Sequence, residues 1–341
     1  MDRAHRGDRI LSGPSTVLAT PILGAQLTRE LVARIEAVDG VRCVLIGSDG
    51  HIHGDAAEAA FDEADILLLG SVPASVLDHV VSRAPKLRWI HSASAGVDRI
   101  STPAVRERGL LVTNARGVFS RPIAEYVVMM SLAIARRLPQ LLELQRERTW
   151  QPIRGRELSE LTVGIIGYGS IGEEVARLLE PFGCRLLATR RHVDRGVGKA
   201  GRVELFALGD LAQVLRASDI VVVAAPLTEE TAGLIGADQL AEMREDAWLI
   251  NIARGRLIDE LALRRALESG WIGGAVLDVF SEEPLPPDSP LYRTPNVVIT
   301  PHTSWASDRV IERSVDLFVE NLRRDRAGEV LRNVVDLEAG Y

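Results

Sequence analysis

The strongest chemical signal in the chain is a glycine-spaced run, VGIIGYGSIGEEVARLL, at residues 163–179. Gly167, Gly169 and Gly172 directly follow an apolar, strand-like stretch and open a helical pattern, the context in which G-x-G-x-x-G predicts a dinucleotide site. Each glycine has its own physical task. Gly167 permits a tight turn, Gly169 lets the main chain approach a pyrophosphate, and Gly172 allows a helix to pack closely on a strand. Tyr168, Ser170 and Ile171 complete the turn, and the free N–H groups and positive dipole end of the helix would face the phosphates.

The next strand-like run, CRLLAT, sharpens the expectation. A site for NAD usually carries an acid at the end of this strand, about 20 residues on, to hold the ribose 2′-hydroxyl. Here the strand ends in Thr189, Arg190 and Arg191, and no carboxylate occurs before Asp194. Guanidinium groups pair bidentately with phosphate, so Arg190 and Arg191 favour NADP. The alternative is NAD bound beside a solvated loop.

Other candidate chemistry is weaker. His51 and His53 form an H-x-H pair in SDGHIHGDAAE, but no further ligand is near in sequence, so a metal is not expected. Cys43 and Cys184 sit in apolar runs and read as small buried hydrophobes. A net charge of −7 and a pI of about 5.6 argue against a nucleic-acid partner, which wants a basic face. The longest apolar helix candidate, IAEYVVMMSLAIA (123–135), is too short to span a bilayer and carries Glu125. It reads as a helix buried between domains or subunits. No membrane partner is expected. The polar N-terminus lacks a signal-peptide core, which predicts a cytoplasmic, reducing setting.

At 341 residues with 46% hydrophobic content, the chain suits two domains. STVLAT, RCVLIG, ADILLLG and LRWIHS read as strands, with amphipathic helices LTRELVARIEAV and PASVLDHVVSRA between them. Continuous apolar strands predict a parallel sheet covered on both faces. A second series, LTVGIIG, CRLLAT, ASDIVVVAAPL, AWLINIA, GGAVLDVF and NVVITPH, predicts a doubly wound parallel sheet. A last helix, roughly 308–324, carries an apolar stripe of Val310, Ile311, Val315, Phe318 and Leu322 and should return across the first domain.

With these elements in order, the chain resembles the D-isomer-specific 2-hydroxyacid dehydrogenase family. The resemblance rests on SAGVD, NARGVFSRPIAEY, VGIIGYGSIGEEVARLL, PLTEETAGLIG, LINIARGRLIDE, AVLDVFSEEPL and ITPHTSW, in that order. It implies an α/β fold of two domains: a Rossmann-type doubly wound nucleotide domain (116–303) inserted into a smaller flavodoxin-like α/β substrate domain (1–115 plus 304–341). It explains why so much chain precedes the glycine motif.

The family uses an arginine, a glutamate and a histidine, which match Arg254 in NIARG, Glu283 in DVFSEEPL and His302 in TPH. Each follows an expected strand of the nucleotide domain, so all three should face one crevice at the strands' carboxyl ends. Arg254 would bind the carboxylate of a 2-oxo acid or polarise its carbonyl. His302 would donate the proton in reduction and accept it in oxidation, since histidine titrates near neutral pH. Glu283 would orient the ring and favour its charged form. Taken singly, Arg254 could cap a turn, His302 could be a core histidine and Glu283 a surface acid.

The resemblance also implies cofactor contacts at Pro226, Thr231, Ala253 and Asp278, and substrate-carboxylate binding by backbone amides of Ser94, Ala95 and Gly96. Residues 114–118 would lie near the hinge. Thr303, Ser304 and Trp305 replace the small residues many members have after the histidine; the indole could narrow the pocket or pack at the hinge. The expected activity is NAD(P)-dependent interconversion of a small 2-oxo acid and its D-2-hydroxy acid, with glyoxylate or hydroxypyruvate reduction favoured, in a homodimer. Phosphoglycerate oxidation is less favoured, as the chain stops about forty residues after His302. The rivals are an NAD(P)-sensing, corepressor-like interaction protein and formate oxidation, whose specialised polar groups have no match in the sequence.

Overall fold

The computed structural model describes residues 14–52, 57–96, 100–191 and 198–337. The chain divides into two compact units, Met1–Phe119 with Ser307–Tyr341, and Ser120–Ala306.

The first unit is built on strands β1 (Ser15–Ala19), β2 (Val41–Leu45), β3 (Ala64–Leu69), β4 (Trp89–Ser92) and β5 (Leu111–Asn114). They form one sheet in the order β2-β1-β3-β4-β5, all parallel, the flavodoxin-like arrangement. Side chains alternate across the sheet, as the period of a strand requires. Ile66 and Leu68 of β3 join Trp89 and the C-terminal helix on one face. Leu67 and Leu69 join Leu77, Val80 and Val81 on the other. Both faces are apolar because both are covered, which is why these strands read as unbroken apolar runs. The helix Val310–Arg326 buries Val310, Val315, Phe318 and Leu322, and Phe318 stacks at 5.5 Å from Trp89. Cys43 is half-buried against this cluster, and burial pushes its thiol up to about 12, in keeping with an inert small hydrophobe.

The second unit adds β6 (Thr162–Ile166), β7 (Arg185–Arg190), β8 (Gly198–Ala200), β9 (Val203–Ala207), β10 (Ile220–Val223), β11 (Trp248–Asn251), β12 (Gly274–Leu277) and β13 (Val297–Ile299). Their order is β13-β12-β11-β10-β6-β7-β9-β8. Only β8 runs antiparallel to its neighbour. The order reverses between β6 and β10, the switch point at which doubly wound sheets bind ligands. The expected strands are all present. The β8–β9 pair was not expected, because VELFA is interrupted by Glu204, a residue held by Arg185 of neighbouring β7 at 2.9 Å.

The units divide at 119/120 and 306/307, a few residues beyond the expected boundaries at 115/116 and 303/304. Asn333 Nδ2 donates to the Arg116 carbonyl at 2.9 Å, tying that segment to the first unit. The Thr303 and Ser304 amides both donate to Asp278 at 2.9 Å, tying that segment to the second. The helix Ser120–Ala135 is buried on one face only: Ile123, Ala124, Val127 and Ser131 face inward, while Met129 is 52% exposed. Among the described residues, no helix is long and apolar enough to cross a membrane.

Candidate active site

The glycine turn sits at the carboxyl end of β6. Gly167 adopts φ +100°, and a Cβ there would lie 2.6 Å from the backbone of Ala225, just past β10. Only glycine allows this approach at the switch point. A Cβ on Gly172 would meet the Gly167 carbonyl at 2.3 Å, so the helix Ser170–Leu179 presses directly on the turn. Gly169 differs from both: a Cβ there would meet nothing within 4 Å. Its bare backbone borders open space, and no side chain caps the helix N-terminus behind it. That is the cradle a pyrophosphate needs, so the residues present fit a dinucleotide.

Thr189, buried at the end of β7, holds the turn in place. Its hydroxyl accepts from the Gly167 amide at 3.2 Å and its carbonyl from the Tyr168 amide at 2.8 Å. Arg190 and Arg191 follow directly and are exposed. Arg191 Nη2 pairs with Glu230 Oε2 at 2.9 Å. Burial raises the Tyr168 phenol, with Glu173 adding to the shift and the nearby Arg190 opposing it. Asp194 lies outside the described residues.

Farther along the sheet, three loops leave the carboxyl ends of adjacent strands β11, β12 and β13. In the first, Asn251 Oδ1 accepts from the Ala253 amide at 3.1 Å and Nδ2 donates to the Arg254 carbonyl at 3.0 Å. This side chain holds the loop that presents Arg254, whose Nη1 donates to the Ala253 carbonyl at 2.7 Å. The next residue, Gly255, lies against the second loop so closely that a Cβ would be 1.9 Å from the Phe280 carbonyl carbon. In that second loop Glu283 Oε1 accepts from the Phe280 amide at 3.0 Å. Glu283 Oε2 reaches into the third loop and takes His302 Nδ1 at 2.7 Å. The three expected residues therefore sit on three contiguous loops.

A carboxylate can only accept, so Nδ1 of His302 is the donor and Nε2 is the nitrogen left for proton exchange with a ligand. The His302 and Glu283 side chains are 41% and 34% exposed, which leaves the pair reachable. His302 itself adopts φ +51°, a conformation uncommon outside glycine. Its amide donates to the Asp278 carbonyl at 2.8 Å.

Asp278 explains how that conformation is held. It is fully buried and its carboxylate is bonded within the protein. Oδ1 accepts from Thr300 Oγ1 at 2.5 Å and from the Thr303 amide at 2.9 Å. Oδ2 accepts from the Ser304 amide at 2.9 Å. Thr300 in turn accepts from Tyr126 Oη at 2.7 Å. Asp278 is thus a positioning residue for the histidine loop. Thr231 is likewise turned inward, donating to the Pro226 carbonyl at 2.6 Å and accepting from the Thr228 amide at 2.8 Å. Trp305 is half-buried in this unit.

In the first unit, Ser94, Ala95 and Gly96 form a half-buried turn after β4. Its carbonyls are turned inward: Ser94 accepts from the Ala115 amide at 3.0 Å, Ala95 from Asn114 Nδ2 at 2.8 Å, and Gly96 from Ser94 Oγ at 3.1 Å. Val97 and Asp98, which complete the motif, lie outside the described residues, as does His53. His51 stacks on His79 at 5.1 Å.

The switch-point cradle and the histidine–carboxylate pair are the features of a dinucleotide-dependent enzyme. A sequence profile of the D-isomer specific 2-hydroxyacid dehydrogenase NAD binding domain matches residues 128–304. A glyoxylate reductase of Korarchaeum cryptofilum is 38% identical over 269 residues, 76% of this chain and 79% of that protein. A D-3-phosphoglycerate dehydrogenase of Methanocaldococcus jannaschii is 35% identical over 277 residues, 81% of this chain but 52% of that longer protein. A D-isomer specific 2-hydroxyacid dehydrogenase from Xanthobacter autotrophicus Py2, solved in complex with NADPH and MES, is 32% identical. It aligns with a TM-score of 0.83 over 97% of this chain and 100% of that one. An NADPH-dependent glyoxylate/hydroxypyruvate reductase from Sinorhizobium meliloti, in complex with NADP and sulfate, is 28% identical, with a TM-score of 0.80 over 96% of this chain and 100% of that one. The chain belongs to the D-isomer-specific 2-hydroxyacid dehydrogenase family. It is an NAD(P)-dependent oxidoreductase.

Proposed function

We propose that the protein is a cytoplasmic, NADP-preferring reductase of a small 2-oxo acid, glyoxylate or hydroxypyruvate, with His302 as the acid–base group. The observation that carries this reading is the 2.7 Å bond between His302 Nδ1 and Glu283 Oε2. When bound, the reduced nicotinamide supplies a hydride to the carbonyl carbon of the substrate. As that carbon is reduced, negative charge builds on its oxygen, and His302 Nε2 gives that oxygen its proton. To give it, the ring must be the imidazolium, protonated at both nitrogens; Glu283 accepts from its Nδ1–H and sets a negative charge beside that cation. Arg254 carries the positive charge that binds the substrate's carboxylate or polarises its carbonyl. Amides of Ala95 and Gly96, on a turn whose carbonyls are already taken, provide further donors for the carboxylate; the Ser94 amide of the same turn already donates to Ser92 Oγ at 3.2 Å. In oxidation the same nitrogen takes the proton back.

The preference for NADP rests on Arg190 and Arg191 at the end of β7, where an NAD site would carry an acid. The NADP and NADPH bound in two similar structures support it. A charge-assisted contact to the 2′-phosphate is worth about 1.5–3 kcal/mol, so KM for NADPH should be about tenfold to a hundredfold below that for NADH. Initial rates at 340 nm with glyoxylate, hydroxypyruvate and 3-phosphohydroxypyruvate measure this. A lower KM for NADH would overturn the cofactor assignment, and turnover of the phosphorylated acid alone would overturn the substrate.

The same reading includes a homodimer. The outer face formed by Met129, Leu132, Leu138 and Leu141, which are 52%, 36%, 45% and 40% exposed, is an apolar surface of the kind a second copy covers. Light scattering should give the mass of two chains; a monomer at micromolar concentration contradicts it.

A further inference from the structure

We propose that Glu230 is a specificity-determining residue, a carboxylate that competes with the cofactor's 2′-phosphate for Arg191. The proposal rests on the NADP reading above and deepens it.

Arg191 directly follows β7, and Glu230 lies in the turn after β10. Strands β7 and β10 flank β6 on either side. The 2.9 Å bridge between Arg191 and Glu230 therefore joins the two loops that border the carboxyl end of β6, where the glycine turn waits for the pyrophosphate. A guanidinium placed there for a phosphate already holds an anion supplied by the protein.

The two partners differ in how they are held. Glu230 stands on a braced turn. Thr228 and Thr231 exchange backbone-to-hydroxyl bonds of 2.8 and 3.3 Å, and Thr231 is buried. The Glu230 carboxylate is thus presented from a fixed frame, with its side chain 60% exposed. Arg191 is the long, rotatable partner. An exposed ion pair of this kind is worth roughly 0–1 kcal/mol, too little to withhold Arg191 from a dianionic phosphate. It is enough to reduce the gain, first by giving up the pair and then by leaving a carboxylate near the incoming charge. A cofactor without the 2′-phosphate leaves the bridge undisturbed, so Glu230 narrows the preference for NADP over NAD.

The test measures binding without turnover. Calorimetric titration of 2′,5′-ADP and of 5′-AMP compares the wild type with Glu230→Gln, Arg191→Ala and the double variant. Glu230→Gln should tighten 2′,5′-ADP about three- to fivefold and leave 5′-AMP unchanged. In the Arg191→Ala background the gain should fall below about twofold, the mark of two groups acting on each other. An unchanged affinity for 2′,5′-ADP in Glu230→Gln, or equal tightening of both ligands, overturns the proposal while leaving the NADP reading intact. A wild type that binds the two ligands equally overturns the NADP reading and this proposal with it.

Discussion

Replacing His302 with alanine should lower turnover of a 2-oxo acid at least a hundredfold while NADPH affinity stays within about twofold. General acid–base help is worth roughly 10²–10⁴-fold, and the proposed route to it runs through the imidazole that Glu283 holds at 2.7 Å. The cradle that binds pyrophosphate is formed elsewhere on the sheet, at Gly167–Gly172, so cofactor binding should not follow the loss. One complication is local. His302 lies at φ +51°, and alanine tolerates that region less well than asparagine does. His302→Asn supplies the control, since its backbone preference suits the position and its amide can still face Glu283, but it cannot carry a proton between states. Both variants should show the same loss, measured as kcat beside a fluorescence titration with NADPH. Turnover within tenfold of wild type in either variant would remove His302 from the chemistry.

The second large effect is expected at Gly255. A Cβ there would lie 1.9 Å from the Phe280 carbonyl carbon and 2.2 Å from the Ser281 amide nitrogen. Both are backbone atoms, so no side chain can swing away, and the segment leading to Glu283 must move by more than an ångström. Overpacking of this kind costs about 1–3 kcal/mol, occasionally more, which lowers Tm by about 2–12 °C at this size. A misplacement of about 1 Å costs on the order of a hundredfold in rate. Gly255→Ala should therefore lose both stability and turnover. Gly209→Ala, where a Cβ meets nothing within 4 Å, should lose neither. Wild-type melting and rate for Gly255→Ala would mean that the loops of Arg254 and Glu283 are not packed as described.

These two residues mark where sequence reading succeeds and where it stops. The glycine turn was legible because three backbone requirements fall at fixed spacing within six residues of chain. The placement of Arg254, Glu283 and His302 was legible because alternating strands and helices dictate a parallel sheet, and residues that follow its strands share one edge. The bonds of Asp278 are not legible in the sequence: its partners, the amides of Thr303 and Ser304, lie 25 and 26 residues away and leave no trace in composition. The same holds for Arg191 and Glu230, 39 residues apart. Strand β9 escaped because an exposed ion pair broke its apolar pattern. The exact unit boundaries are not legible because Asn333 and Asp278 bind the flanking segments through side-chain contacts that no pattern announces.

The central claim is hydride transfer to the carbonyl carbon of a 2-oxo acid with a proton from His302. NADPH carrying deuterium at the transferring position of nicotinamide C4, incubated with the enzyme and hydroxypyruvate, tests it most directly by mass and NMR analysis of the product. The account predicts D-glycerate with deuterium at C2 and a proton from solvent on its oxygen. Recovery of unreacted hydroxypyruvate with NADPH bound, or of glycerate without label at C2, would contradict it.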